Sequence, residues 1–145
     1  MGSMQKLVIT LVIFTNCVTS AVGANEAVQV EFFESRIRPV LVEHCYRCHS
    51  TKAGKSKGGL LLDSRTGWQV GGDSGPAVIP FKPKESLVLL AINQSGESSE
   101  MPPDGRLSKA IVQDFEAWIT AGAVDPRGGE KPVTAELMDI SAGKQ

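Results

Sequence analysis

Residues 45–49 read Cys45-Tyr46-Arg47-Cys48-His49: two thiols three positions apart, with an imidazole directly after the second. On one helical turn, such thiols are placed to add across the two vinyl groups of a haem, and the next imidazole then lies under the ring within reach of the iron. Zinc is the first rival. It needs four ligands, and the chain beyond residue 24 offers only Cys45, Cys48, His44 and His49, all adjacent, with no second cluster downstream. A thioredoxin-like dithiol belongs at a strand-to-helix junction in a βαβ pattern, which this chain lacks. A disulfide between such close cysteines would close only a very short loop and add little stability. The pentapeptide therefore predicts one covalently bound haem c per chain, held by Cys45 and Cys48, with His49 on the iron.

Upstream of the motif, Val28, Phe32, Phe33, Ile37, Val40 and Leu41 fall at roughly helical spacing. Pro39 has no N–H for a helix interior, so a kink or restart is expected there. Further upstream, Lys6, the apolar run Leu7–Phe14 and the small residues Val22-Gly23-Ala24 have the layout of a signal peptide over residues 1–24. A retained membrane anchor is disfavoured because the apolar run breaks at Thr15-Asn16-Cys17. Lipidation of Cys17 is disfavoured because Asn16 precedes it where a small residue is wanted. Cleavage would leave about 121 residues with a net charge of −2, exported to the periplasm or an equivalent compartment, with no membrane span.

The whole chain has 145 residues, 15 Lys+Arg, 16 Asp+Glu, 15 Gly and eight Pro. That balance has no basic stripe for nucleic acid, and the length suits one small domain that we expect to be monomeric. Downstream of the motif, Ser50–Phe81 is glycine-rich and reads as loop with short turns, apart from Leu60-Leu61-Leu62. Pro83 precedes a short buried helix within Lys84–Asn93. Ser108 caps a last helix, Lys109–Ala121, whose Ile111, Phe115, Trp118 and Ile119 form one apolar stripe ending at Gly122. The domain is assigned to residues 25–125, and 126–145 to a polar tail or linker.

The sixth iron position separates electron transfer from ligand binding. His44 directly precedes Cys45 and cannot wrap to the opposite face of a ring that His49 holds. Met101 lies 52 residues beyond His49, with chain enough to pass around the macrocycle, and Pro102-Pro103 stiffens the loop that presents its thioether. Met138 is a rival only in principle, because polar tail surrounds it. His49 and Met101 are thus the expected iron ligands.

These residues occur within a longer series: Phe33 with Ile37-Arg38-Pro39-Val40-Leu41, the pentapeptide, Gly58-Gly59-Leu60-Leu61-Leu62-Asp63, and Gly71-Gly72-Asp73-Ser74-Gly75-Pro76. Pro80, Glu85-Ser86-Leu87, Met101-Pro102-Pro103 and Trp118-Ile119-Thr120-Ala121-Gly122-Ala123 complete it. In this order the chain resembles the planctomycete-type cytochrome c domain, a branch of the small class I mono-haem cytochromes c, over about residues 30–125. The resemblance implies an all-α fold of three or so helices with long loops around one haem, covalent attachment at Cys45 and Cys48, and His49/Met101 ligation. Two features depart from the family pattern. Phe81 stands where a glycine follows Pro80, and similar domains often head much longer chains.

Other features read blandly. Gly72-Asp73-Ser74-Gly75-Pro76 imitates a serine-protease nucleophile, but both histidines sit at the haem motif and no triad is available. Phe115 and Trp118 are expected to pack on Phe32 and Phe33. Trp68 belongs either to the haem pocket or to a loop. Lys52, Lys55 and Lys57 read as solvated loop, and Arg47 is a candidate neighbour of a haem propionate. The haem completes the apolar core, so the apoprotein is expected to fold poorly. The function expected is one-electron transfer to a redox partner protein, without catalytic residues. The alternatives are a haem sensor or small haem enzyme with a labile sixth ligand, and a haem-stabilised docking module.

Overall fold

The computed structural model describes residues 23–94 and 100–128. Residues 1–22 of the expected signal segment, and tail residues 129–145 with Met138, lie outside the described residues, whereas Gly23 and Ala24 of the expected cleavage site open α1. The described chain is mostly helical. Helix α1 covers residues 23–45, α2 is Arg65–Val70, α3 is Leu87–Asn93 and α4 is Lys109–Thr120. A two-residue antiparallel ladder, β1 His49–Ser50 with β2 Lys55–Ser56, pairs His49 with Ser56 and Ser50 with Lys55.

Proline 39 does not break α1. The helix instead widens into π-helical turns on either side of it, Phe33–Ile37 and Leu41–Cys45, with a short α-turn Arg38–Val40 between them. The missing donor and the crowding by the pyrrolidine ring are absorbed where the backbone bonds stretch by one residue, as Arg38 N–H to Phe33 O and Tyr46 N–H to Leu41 O. The wider turns have a consequence for packing. A spacing of four drifts round an α-helix of 3.6 residues per turn, whereas here Phe33, Ile37 and Leu41 are all buried on one line. Cys45 is the next residue on that line, and it packs against the same core.

Helix α4 forms as its pattern predicts. Ser108 Oγ accepts from the Ile111 N–H at 3.3 Å, and Phe115, Trp118 and Ile119 are buried. Trp118 is the hub, with its ring centroid 5.6 Å from Phe33, 5.9 Å from Trp68 and 6.1 Å from Phe115, the last two edge-on. The expected contact between the first and last helices is therefore present.

Three differences from the sequence reading have physical causes. Helix α2 lies inside the segment read as loop. Ser64 caps it, accepting from the Gly67 N–H at 3.0 Å, and burying Trp68 against Trp118 outweighs the poor helix propensity of Thr66 and Gly67. Trp68 is thereby a core residue and does not line the large cavity described below. Second, the packed chain runs past residue 125. Arg127, read as tail, is largely buried and bonded to Asp125, Tyr46 and Leu62. Third, Phe81 occupies the left-handed region at φ 65°. This is why a glycine suits the position. Its N–H bonds Ile119 O at 2.8 Å, and its ring lies so close over Gly122 that a Cβ there would meet it at 2.7 Å.

Candidate functional site

Between α1, α3 and the loops lies a cavity of about 530 Å³, inside the range of roughly 300–1,000 Å³ typical of small-molecule and cofactor sites. Cys45, Cys48 and His49 line one side. Leu60 and Leu62 from the loop after β2, and Leu87, Val88, Ala91 and Ile92 from α3, supply apolar walls. Met101, Pro102 and Pro103 also line it. The four site residues chosen from sequence thus share one cavity.

Main-chain bonds hold the thiol side. The Cys48 N–H bonds Cys45 O at 3.1 Å, and Lys57 N–H bonds Cys48 O at 3.3 Å. Both cysteines carry free thiols. Burial pushes the Cys45 thiol up to about 11, so it is neutral near pH 7. The His49 ring is fixed by Nδ1, which lies 3.2 Å from Leu60 O. A carbonyl can only accept, so Nδ1 carries the proton and Nε2 keeps the lone pair available to a metal. The segment that supplies this carbonyl is itself tied back: Leu62 N–H donates to His49 O at 2.8 Å, and Thr51 donates to Asp63 Oδ2 through its N–H at 2.7 Å and its hydroxyl at 2.5 Å. Burial would raise the Asp63 pKa, but the two Thr51 bonds outweigh it and hold the carboxyl below its usual range.

The glycine turn forms another wall. Gly72 and Gly75 exchange N–H···O bonds at 3.1 and 2.9 Å, and Asp73 N–H reaches Gly58 O at 2.8 Å. At Gly71, φ is +78° and a Cβ would sit 1.9 Å from Gly75 O, so only glycine fits without backbone movement. Ser74 thus belongs to a tight turn, within the segment read as loop with short turns.

Met101 is half-buried and anchored by its N–H to Ala91 O at 3.1 Å. Two residues that sequence reasoning missed brace its loop. Gln94, at the left-handed end of α3, donates from Nε2 to Met101 O at 3.5 Å. Arg106 grips Gln94 twice, through Oε1 at 2.8 Å and the main-chain O at 3.1 Å. At the cavity mouth Arg47 pairs with Asp104, joining the motif to the loop after Met101. Nothing in the sequence marks that partnership. Among the described residues, no group of three or more His, Cys, Asp or Glu side chains is gathered to hold a bare metal ion.

Residues 45–105, which supply the thiols, the imidazole, the glycine turn and the methionine loop, match the sequence model of the planctomycete cytochrome C family. The chain carries a planctomycete cytochrome C domain. No curated protein and no solved structure matches the chain. The cytochrome C domain implies haem, and the cavity passes the test of fit. It is mostly apolar, as a porphyrin face requires, while its donors are two thiols, a lone-pair imidazole nitrogen and a thioether. Among the described residues, no helix is long and apolar enough to cross a membrane.

Proposed function

We propose that this cytochrome C domain carries one electron, with haem c bonded through thioethers to Cys45 and Cys48 and ligated by His49 and Met101. The observation that carries the reading is the shared cavity: a methionine 52 residues away in sequence lines the same apolar space as the C-x-x-C-H motif. Bound haem supplies a one-electron ferrous/ferric couple. The chain's own residues do the rest. Leu60 O holds the His49 ring in the tautomer that leaves Nε2 basic. The Gln94–Arg106 brace and the Ala91 carbonyl hold the Met101 main chain, so less backbone entropy is lost when its thioether ligates. Leu60, Leu62, Val88 and Ile92 exclude water, which favours the less charged ferrous state.

Export with cleavage after Ala24, and transient docking of a net-negative domain on a basic partner surface, belong to the same proposal. Haem completes the cavity side of the core, so the apoprotein is expected to lose helix content; equal far-UV circular dichroism in apo and holo protein would contradict this.

Production in a host with c-type maturation machinery tests the reading. The intact denatured chain is expected to retain the mass of one haem, and the reduced protein to bind carbon monoxide slowly and incompletely. A mass without haem would overturn covalent attachment. Rapid, stoichiometric carbon monoxide binding would replace the carrier with a sensor or small haem enzyme.

A further inference from the structure

Next to the haem motif, but outside the cavity lining, lies a buried ion pair that the electron-carrier reading does not use. Asp125 is 2% exposed. Its carboxylate accepts from Arg127 Nε at 2.9 Å and Nη2 at 2.7 Å, from the Arg127 N–H at 2.9 Å, and from Trp68 Nε1 at 2.8 Å. The guanidinium stacks 4.8 Å from the Phe33 ring centroid. Its third nitrogen, Nη1, turns toward the motif and donates to Tyr46 OH and, at 3.1 Å, to Leu62 O.

Those last two bonds reach the axial histidine. Tyr46 lies between the two motif cysteines. Leu62 donates its N–H to His49 O at 2.8 Å, and two residues earlier Leu60 O accepts from His49 Nδ1. Arg127 therefore grips the short segment that sets both ends of His49. A buried charge pair is rarely the most stable way to fill a core, and an apolar replacement of similar shape is often as stable. The bonds of Nη1 give this pair a use that stability does not.

We propose that Arg127, held rigid by Asp125, is a positioning residue for His49, fixing the Leu60–Leu62 carbonyls and so the strength of the His49 Nδ1–H···O bond. This rests on His49 being the iron ligand. A strong bond at Nδ1 makes the imidazole a better electron donor and favours the ferric state, so loosening it raises the reduction potential.

The experiment compares three holoproteins by reduction potential and by the NMR signal of the His49 Nδ1 proton. The double variant Asp125→Asn/Arg127→Met removes the clamp with no change of net charge. Its reduction equilibrium is expected to shift three- to tenfold toward ferrous, about 30–60 mV at ~59 mV per tenfold, with faster exchange of the Nδ1 proton. Trp68→Phe removes another Asp125 partner but leaves the bonds to Leu62 and Tyr46; it is expected to lower stability and leave the potential unmoved. Should the double variant not fold, Arg127→Lys keeps the charge opposite Asp125, loses the fork and is expected to shift the potential in the same direction by less. An unchanged or lowered potential in the clamp variants, or an equal shift in Trp68→Phe, would overturn the proposal. Wild-type protein lacking covalent haem would instead overturn the electron-carrier reading, so the two failures are distinguishable.

Discussion

Two regions of one continuous core are built in different ways. In one, Phe33, Trp68, Phe115 and Trp118 pack ring against ring, with Asp125 and Arg127 satisfying the buried polar atoms among them. In the other, the walls are α3 and loops held by main-chain bonds: Leu62 to His49, Asp73 to Gly58, Met101 to Ala91. The aromatic region packs ring on ring; the cavity region is lined mostly by apolar side chains. On the proposed reading one region carries stability and the other holds the haem, and the Arg127 fork links them.

The sharpest way to break this contrast is Trp118→Ala. Removing the hub of the aromatic cluster is expected to cost about 3–5 kcal/mol in urea unfolding; a cost below about 1 kcal/mol would mean that the stable region lies elsewhere. Asp125 gives a pH signature. Burial would raise its pKa, but the Arg127 and Trp68 bonds outweigh burial and hold it below the usual carboxylate range. A depressed pKa contributes stability that is full above the unfolded value of about 3.9 and is lost as pH falls through the folded value. Unfolding free energies taken from pH 6 downward should therefore fall below about pH 4 in wild type, and by less in Asp125→Asn.

On the cavity side, Gly71→Ala places a Cβ 1.9 Å from Gly75 O at a φ of +78°. Its expected cost is smaller, about 1–3 kcal/mol, with weakened haem retention as the more telling readout; a fully loaded, equally stable variant would show that this wall yields freely. The smallest effect belongs to Arg47→Ala. Arg47 and Asp104 are both exposed, so no measurable change in urea unfolding is expected, although the pair spans the cavity mouth.

Much of the site was legible because its chemistry is local. Five consecutive residues specify thiols and imidazole, and Met101-Pro102-Pro103 marks a second segment lining the same cavity. Helix α4 was legible because its stripe has a clean period and a serine cap. What stayed hidden depends on distant partners. Arg127 reads as tail because Tyr46 and Leu62 lie 81 and 65 residues away. Helix α2 reads as loop because six residues with one glycine carry too little periodicity, and the partners that bury Trp68, Trp118 and Asp125, are distant in sequence. At Pro39, the sequence announces a disturbance but not its form, because π turns arise from keeping Phe33, Ile37 and Leu41 on one buried line.

The most direct test of the account is the far-red absorption of the ferric protein, compared between wild type and Met101→Ala. The account predicts thioether-linked haem in both, with the weak far-red band of methionine ligation present in wild type and absent from the variant. Covalent haem with identical spectra in the two proteins would contradict it, and would remove Met101 from the iron.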